Sequence, residues 1–244
     1  MTRLRTPARI GHPETCVFMG IVIAIDGPAG AGKSTVARQL ASQLGFTYID
    51  TGAMYRAVAL WAIRSNLELT DMHRMEQLAE AAVIVLHSAT GGVSLNGEDV
   101  TEAIRSPQVS ESASHVAAIA GVRRAMVAKQ REIAEQANVV MEGRDIGTVV
   151  FPNAQVKIFL DADHTERTRR RVDQLGTSER EVAADQVARD IAERDHRDRM
   201  RADSPLAQAP DAVYVNSTDL SIEEVVAALL KVVRSKTANG KGYH

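Results

Sequence analysis

The 244-residue sequence contains one cysteine, Cys16. A lone cysteine excludes an intramolecular disulfide and makes a reducing, cytoplasmic setting the default. Cys16 also lies in an irregular leader, which argues against a catalytic thiol. No apolar run approaches the ~18 residues of a helical membrane span. The net charge is only −2, so no global field favours nucleic acid or an anionic membrane. The seven histidines (12, 73, 87, 115, 164, 196, 244) lack metal-ligand spacing, which argues against a zinc site. The guanine-selecting Asn-Lys-x-Asp stretch of regulatory GTPases is missing, as are internal repeats and low-complexity tracts. Residues 1–19 are basic and irregular, without the apolar core and cleavage site of a secretory signal. They read as a disordered leader, with Met19 as an alternative start, and residues 237–244 read as a frayed tail.

What is present begins with Gly27-Pro28-Ala29-Gly30-Ala31-Gly32-Lys33-Ser34-Thr35, which follows the apolar run Ile21–Asp26 and opens a helical pattern. This is a P-loop in the strand-to-helix context the motif requires. Glycines let the backbone wrap a phosphate while successive N–H groups and the positive end of the helix face it. Lys33 is expected at the β/γ-phosphates of ATP and Ser34 on Mg²⁺.

The remaining chain alternates apolar strand candidates (46–49, 139–142, 156–160, 212–215) with helical patterns at 53–65, 72–82, 108–120 and 122–137. Charged helices fill 164–201, broken at Gly176-Thr177-Ser178, and Ser221-Ile222-Glu223-Glu224 is a capping box for a last helix with Val225, Val226, Leu229 and Val232 on one face. Between 83 and 97, Gly-Gly and Asn-Gly separate short apolar segments, which signals an antiparallel ribbon inserted into the α/β chain. The expectation is a doubly wound sheet of five parallel strands with helices on both faces, and ligands beyond the carboxyl ends of the strands.

Three stretches outside the P-loop carry chemistry. Asp50-Thr51-Gly52-Ala53-Met54-Tyr55-Arg56 places a hydroxyl and an arginine at a strand end. Gly143-Arg144-Asp145 does the same with an arginine and a carboxylate, groups that are costly to bury without partners. Residues 164–201 hold ten arginines, no lysine and nine acids. That near-neutral balance argues against a nucleic-acid patch and mostly describes salt-bridged helices. Arginine alone, however, suits bidentate grip on phosphate, so part of this segment is expected to close as a lid over the site.

Taken together, these stretches resemble the bacterial cytidylate kinases, the monomeric (d)CMP kinases of the nucleoside monophosphate kinase group. The resemblance runs from about Ile21 to Val233 and is carried by Ile25–Pro28, Asp50–Arg56, Gly97–Val100 with Ile104-Arg105, Glu142–Pro152 with Lys157–Leu160, and Glu193–Leu206. It implies an ATP-binding core (20–51, 138–163, 202–236), a monophosphate-binding part (52–137) whose β-rich insert spans about 70–105, and a lid (164–201). It implies transfer of the γ-phosphoryl group of ATP to CMP or dCMP by a cytoplasmic monomer, with no nucleic acid or membrane partner.

By the same resemblance Thr51, Arg56, Arg144 and Arg201 hold the acceptor phosphate, and Ser114, Arg123 and Asp145 read cytosine. Arg194 and Asp198 lie near the sugar, and Arg170 and Arg167 are lid arginines for the ATP phosphates. Lys33, Arg144, Arg194 and Arg201 would then be catalytic, with Glu142 orienting metal-bound water. Ser114 and Arg123 rest on the resemblance alone. Rival readings are a kinase of another small acceptor (UMP, dTMP or shikimate) and a P-loop switch acting as a binding module.

Overall fold

The computed structural model describes residues 20–88, 90–175 and 180–237. The leader with Met19, the Gly176-Thr177-Ser178 break and the tail beyond 237 lie outside them. In chain order the elements are β1 (Val22–Asp26), α1 (Lys33–Leu44), β2 (Thr47–Asp50), α2 (Thr51–Arg64), α3 (Met72–Ala81), β3 (Ile84–His87), β4 (Gly92–Leu95), β5 (Glu98–Asp99), α4 (Pro107–Val116), α5 (Ala120–Ala134), β6 (Val139–Gly143), β7 (Val156–Asp161), α6 (His164–Leu175), α7 (Arg180–Met200), β8 (Val213–Asn216) and α8 (Ile222–Thr237).

Five strands form a parallel sheet in the order β2-β6-β1-β7-β8, with β1 in the centre. All five residues of β1 are buried, as a strand covered on both faces requires. One face packs on α1 and α8 through Ile23, Ile25, Leu40, Ile158, Leu160 and Leu229. The other face packs on the end of α5 and a turn at 146–150, through Ala24, Ile49, Met141 and Ile146. The strand ends are aligned: Asp26 pairs with Gly143 and Asp50 with Glu142. This alignment brings the P-loop, the Asp50–Arg56 stretch and Arg144-Asp145 to one rim, although they are far apart in sequence.

A separate apolar cluster joins α2, α3, α4, α5 and β4. The smaller sheet β3-β4-β5 is antiparallel, and its Asn96-Gly97 turn has both residues in left-handed backbone, as a two-residue hairpin loop requires. Gly45 closes α1 in left-handed conformation, and the Ser221–Glu224 capping box forms, with Glu224 N donating to Ser221 Oγ at 3.2 Å.

Local expectations shift in three places. The helix expected over 108–120 starts one residue earlier, at Pro107 behind a Ser106 cap, and ends at Val116. On α8, Val233 is buried while Val232 packs only partly. The connection after β6 is a π-helical turn, Ile146–Val150. Such turns follow from local packing, and periodicity over five residues does not reveal them.

Candidate active site

The donor side is built mostly from backbone. Gly27 leaves β1 at φ 150°, and a Cβ there would run into the carbonyl oxygen of Leu160. Gly30 and Gly32 also have positive φ, which turns the loop into the start of α1. Lys33 is buried and donates from Nζ to Pro28 O at 2.6 Å. Burial, reinforced by the nearby Arg144 charge, pushes the Lys33 ammonium down to about 7.

The outer carbonyls of the loop are held by α6. Arg167 donates to Ala29 O at 3.0 Å, and Arg170 to Ala31 O at 3.3 Å and to Ser217 O at 2.6 Å. Arg167 also pairs at 2.5 Å with Asp195 of α7, whose other oxygen accepts the Ala29 N–H at 3.4 Å. Arg167 and Arg170 thus brace the loop itself, a role the resemblance did not assign them.

The acceptor side is built from side chains on many elements. Thr51 opens α2 and donates to Glu142 O at 2.7 Å. Arg56 pairs with Asp50 at 2.9 Å, and Asp50 also caps α2 by accepting Ala53 N–H. Arg144 donates from Nε to Asp198 at 2.9 Å. Arg123 of α5 forms a buried pair with Asp145 (side-chain exposures 4% and 7%) and also donates to Ala117 O at 3.1 Å. Arg201 lies 3.9 Å from Asp145 and 3.7 Å from Asp198. Arg56, Arg123, Arg144, Asp145, Arg194, Asp198 and Arg201 are therefore joined by contacts or by mutual charge effects, and Thr51 meets the same rim at Glu142 O. Ser114 is buried on α4, and its hydroxyl has no partner among the described residues.

Burial and mutual repulsion dominate the electrostatics of the acceptor arginines. Burial and then the neighbouring Arg144 push Arg194 down to about 10, and burial and then Arg123 lower Arg201. The Nε of Arg194 and Nη2 of Arg201 are buried without partners among the described residues. Asp198 is pushed up by burial, but Arg144, Arg194 and Arg201 outweigh this and hold it below the usual carboxylate range. The guanidinium nitrogens of Arg194 and Arg201 that make no hydrogen bond are donors an anionic ligand can take.

Four contributors had no role in the sequence reading. Asp26 accepts two backbone N–H bonds of the π turn. Asp195 joins both charged helices to the loop. Tyr48 donates its hydroxyl to Glu142, and the Tyr55 ring lies 5.6 Å beneath the Arg123 guanidinium. The available signal was an acid ending an apolar strand for Asp26; the other three look like core or surface residues until the chain is folded. Glu142 is pushed up by burial and then by Asp50, and the neighbouring Lys33 and Ser34 partly offset this. No cluster of three or more His, Cys, Asp or Glu side chains forms a ready metal cage among the described residues. None of their helices is long and apolar enough to cross a membrane.

Comparison with known proteins gives consistent results. The model of the family described as cytidylate kinase matches residues 23–235. A cytidylate kinase of Solibacter usitatus (strain Ellin6076) is 64% identical over 225 residues, covering 91% of this chain and 96% of that protein. One from Desulfitobacterium hafniense (strain Y51) is 51% identical over 219 residues, covering 89% and 94%. Among solved structures, an uncharacterized protein from Eubacterium ventriosum ATCC 27560 aligns at TM-score 0.51 and 12% identity, covering 88% of this chain and 99% of that one, a likeness of fold alone.

Proposed function

The chain belongs to the cytidylate kinase family, ATP-dependent phosphotransferases that phosphorylate CMP or dCMP, and from that premise we propose how its residues divide the work. Gly27–Thr35 hold the ATP phosphates through backbone N–H groups, with Lys33 at the β/γ-phosphates and Arg167 and Arg170 fixing the loop from outside. Thr51, Arg56, Arg144 and Arg201 take the acceptor phosphate. Ser114, Arg123 and Asp145 take the cytosine edge, and Arg194 and Asp198 take the sugar end. The observation that carries this division is the gathering of Arg144 and Arg194 near Lys33, with the buried Nε of Arg194 and Nη2 of Arg201 left without hydrogen bonds among the described residues.

The acceptor oxygen is already anionic, so the reaction needs no protein nucleophile and no strong base. Binding sets the acceptor oxygen in line with the γ-phosphorus. Lys33 and the arginines then neutralise the charge spread over the transferring group. The lid, residues 164–201, excludes water and so limits hydrolysis of ATP.

The residues fit Mg²⁺. The Ser34 hydroxyl at the first turn of α1 is a hard oxygen donor beside the phosphate loop, with the Glu142 carboxylate close by, which suits an ion that keeps most of its ligands as phosphates and water. Bound there, Mg²⁺ supplies charge neutralisation across the phosphate oxygens. Ser34 would be its protein ligand, with Glu142 orienting its waters.

The division of labour has the enzyme working as a cytoplasmic monomer, which light scattering of the purified chain and cell fractionation check. A coupled assay with ATP and a panel of CMP, dCMP, UMP, dTMP and shikimate tests the acceptor assignment. CMP and dCMP are expected to be strongly preferred. Preference for another acceptor overturns the cytosine roles, and activity with none supports a nucleotide switch.

A further inference from the structure

Asp26 is the one charged residue of β1, and it immediately precedes the P-loop. Its side chain lies in the interior, with the residue only 4% exposed. Oδ1 accepts the N–H of Ile146 at 2.8 Å and Oδ2 accepts the N–H of Gly147 at 2.7 Å. These two amides open the π turn that follows Arg144-Asp145, and the residue at its N-cap gives no side-chain bond. The parallel ladder between β1 and β6 runs to the pair Asp26 and Gly143. Beyond that point the two backbones diverge, one into the phosphate loop and the other into the acceptor segment. The carboxylate bridges them where the ladder stops. A Cβ at Gly147 would touch Asp26 Oδ2 at 3.4 Å and press on the Lys157 stem at 3.2 Å from Cδ.

We propose that Asp26 is a positioning residue for phosphoryl transfer: by clamping the amides of Ile146 and Gly147 it sets the distance and orientation of the Arg144-Asp145 segment relative to the P-loop. The inference rests on the acceptor roles given above to Arg144 and Asp145. It predicts an asymmetric defect. The P-loop keeps independent supports from Arg167, Arg170 and Ser217, so ATP binding survives loss of the clamp. The amides of Ile146 and Gly147 lose their side-chain acceptor, while Arg131 still holds the far end of the turn at Val149 O and Val150 O. An asparagine at 26 offers one acceptor and turns an NH₂ toward the second amide, leaving a buried N–H unpaired.

The test compares wild type, Asp26→Asn and Gly147→Ala in three measurements: ATP affinity without acceptor, steady-state kinetics in CMP, and amide hydrogen exchange at 146 and 147. In Asp26→Asn the KM for CMP is expected to rise about ten- to hundredfold, as loss of a buried bond implies. ATP affinity is expected to stay within about threefold, and exchange at both amides to accelerate. Gly147→Ala keeps the charge but wedges a methyl between Lys157 and the Asp26 carboxylate, displacing the clamped turn, so the same changes are expected at a few-fold. Wild-type KM and exchange in Asp26→Asn overturn the proposal, and so does an equal loss for ATP and CMP, which would mean general loosening. Should Asp26→Asn fail to fold, unchanged KM and exchange in Gly147→Ala overturn it. Failure of the wild type to phosphorylate CMP refutes the acceptor reading instead, and the exchange measurements still judge the clamp.

Discussion

The donor and acceptor halves of the site solve one problem, holding phosphate, by opposite means. The donor half is nine consecutive residues running from the end of a strand into the first turn of a helix, and its binding groups are mainly backbone amides. The acceptor half collects side chains from α2, α4, α5, the end of β6 and α7. Backbone amides are neutral dipoles and need no counter-charge when the site is empty. Buried guanidinium groups do, and the chain supplies Asp50, Asp145 and Asp198 to hold them. Selectivity comes from the second design, because a charge-paired network can reject a ligand that leaves one member unpaired. Its cost is stability that depends on every member being present.

Breaking the acceptor half should therefore damage folding as well as binding. Arg123→Ala leaves Asp145 buried beside only the more distant Arg201. It is expected to cost about 3–5 kcal/mol in denaturant unfolding, as loss of one partner of a buried pair does. An unchanged unfolding midpoint would mean that the pair is relieved by solvent. Breaking the donor half should spare the fold. Lys33→Ala is expected to lower kcat by about 10²–10³-fold. Its unfolding midpoint should hold, because the ammonium is buried against its own preference. CMP affinity measured without ATP should change little, and a parallel loss of both substrates would erase the distinction between the halves.

Ser114→Ala sharpens the contrast from the other side. The hydroxyl is buried and has no partner among the described residues, so its removal should leave stability unchanged or slightly higher. A ligand bond lost there should raise the KM for CMP about tenfold, read in steady-state assays, with the KM for ATP unmoved.

The smallest effect is a proton balance. Lys33 sits at about 7 in the folded chain against its ordinary 10.5, so the unfolded chain binds more protons between those values. Stability contributed by this group therefore rises with pH across that window. Phosphates beside Lys33 restore its charge, so ATP binding near pH 8 should take up about one proton. Calorimetry in buffers of different ionisation enthalpy measures this uptake, and Lys33→Met should abolish it.

Legibility follows the same divide. The P-loop, the five strands, the Asn96-Gly97 hairpin and the α8 capping box were all readable, because each is dictated by residues within a few positions of one another. Ser114 looked like a serine on a helix surface and Arg123 like a solvated arginine. Only resemblance marked them, since Arg123 meets Asp145 22 residues away and the Ser114 hydroxyl has no partner among the described residues. Arg167 and Arg170 were legible as phosphate-seeking arginines, but their donors meet loop carbonyls, which alternation of charge along a helix cannot reveal.

By itself the sequence determined the fold class and the donor loop, because strand periodicity and a glycine-rich turn are local consequences of backbone sterics and burial. The tertiary structure alone decided which arginine meets which carboxylate, and that Asp26 reaches across two strand ends to the amides of residues 146 and 147. Those choices depend on strand order and register, which set residues 120 positions apart side by side, and no window along the chain carries that information.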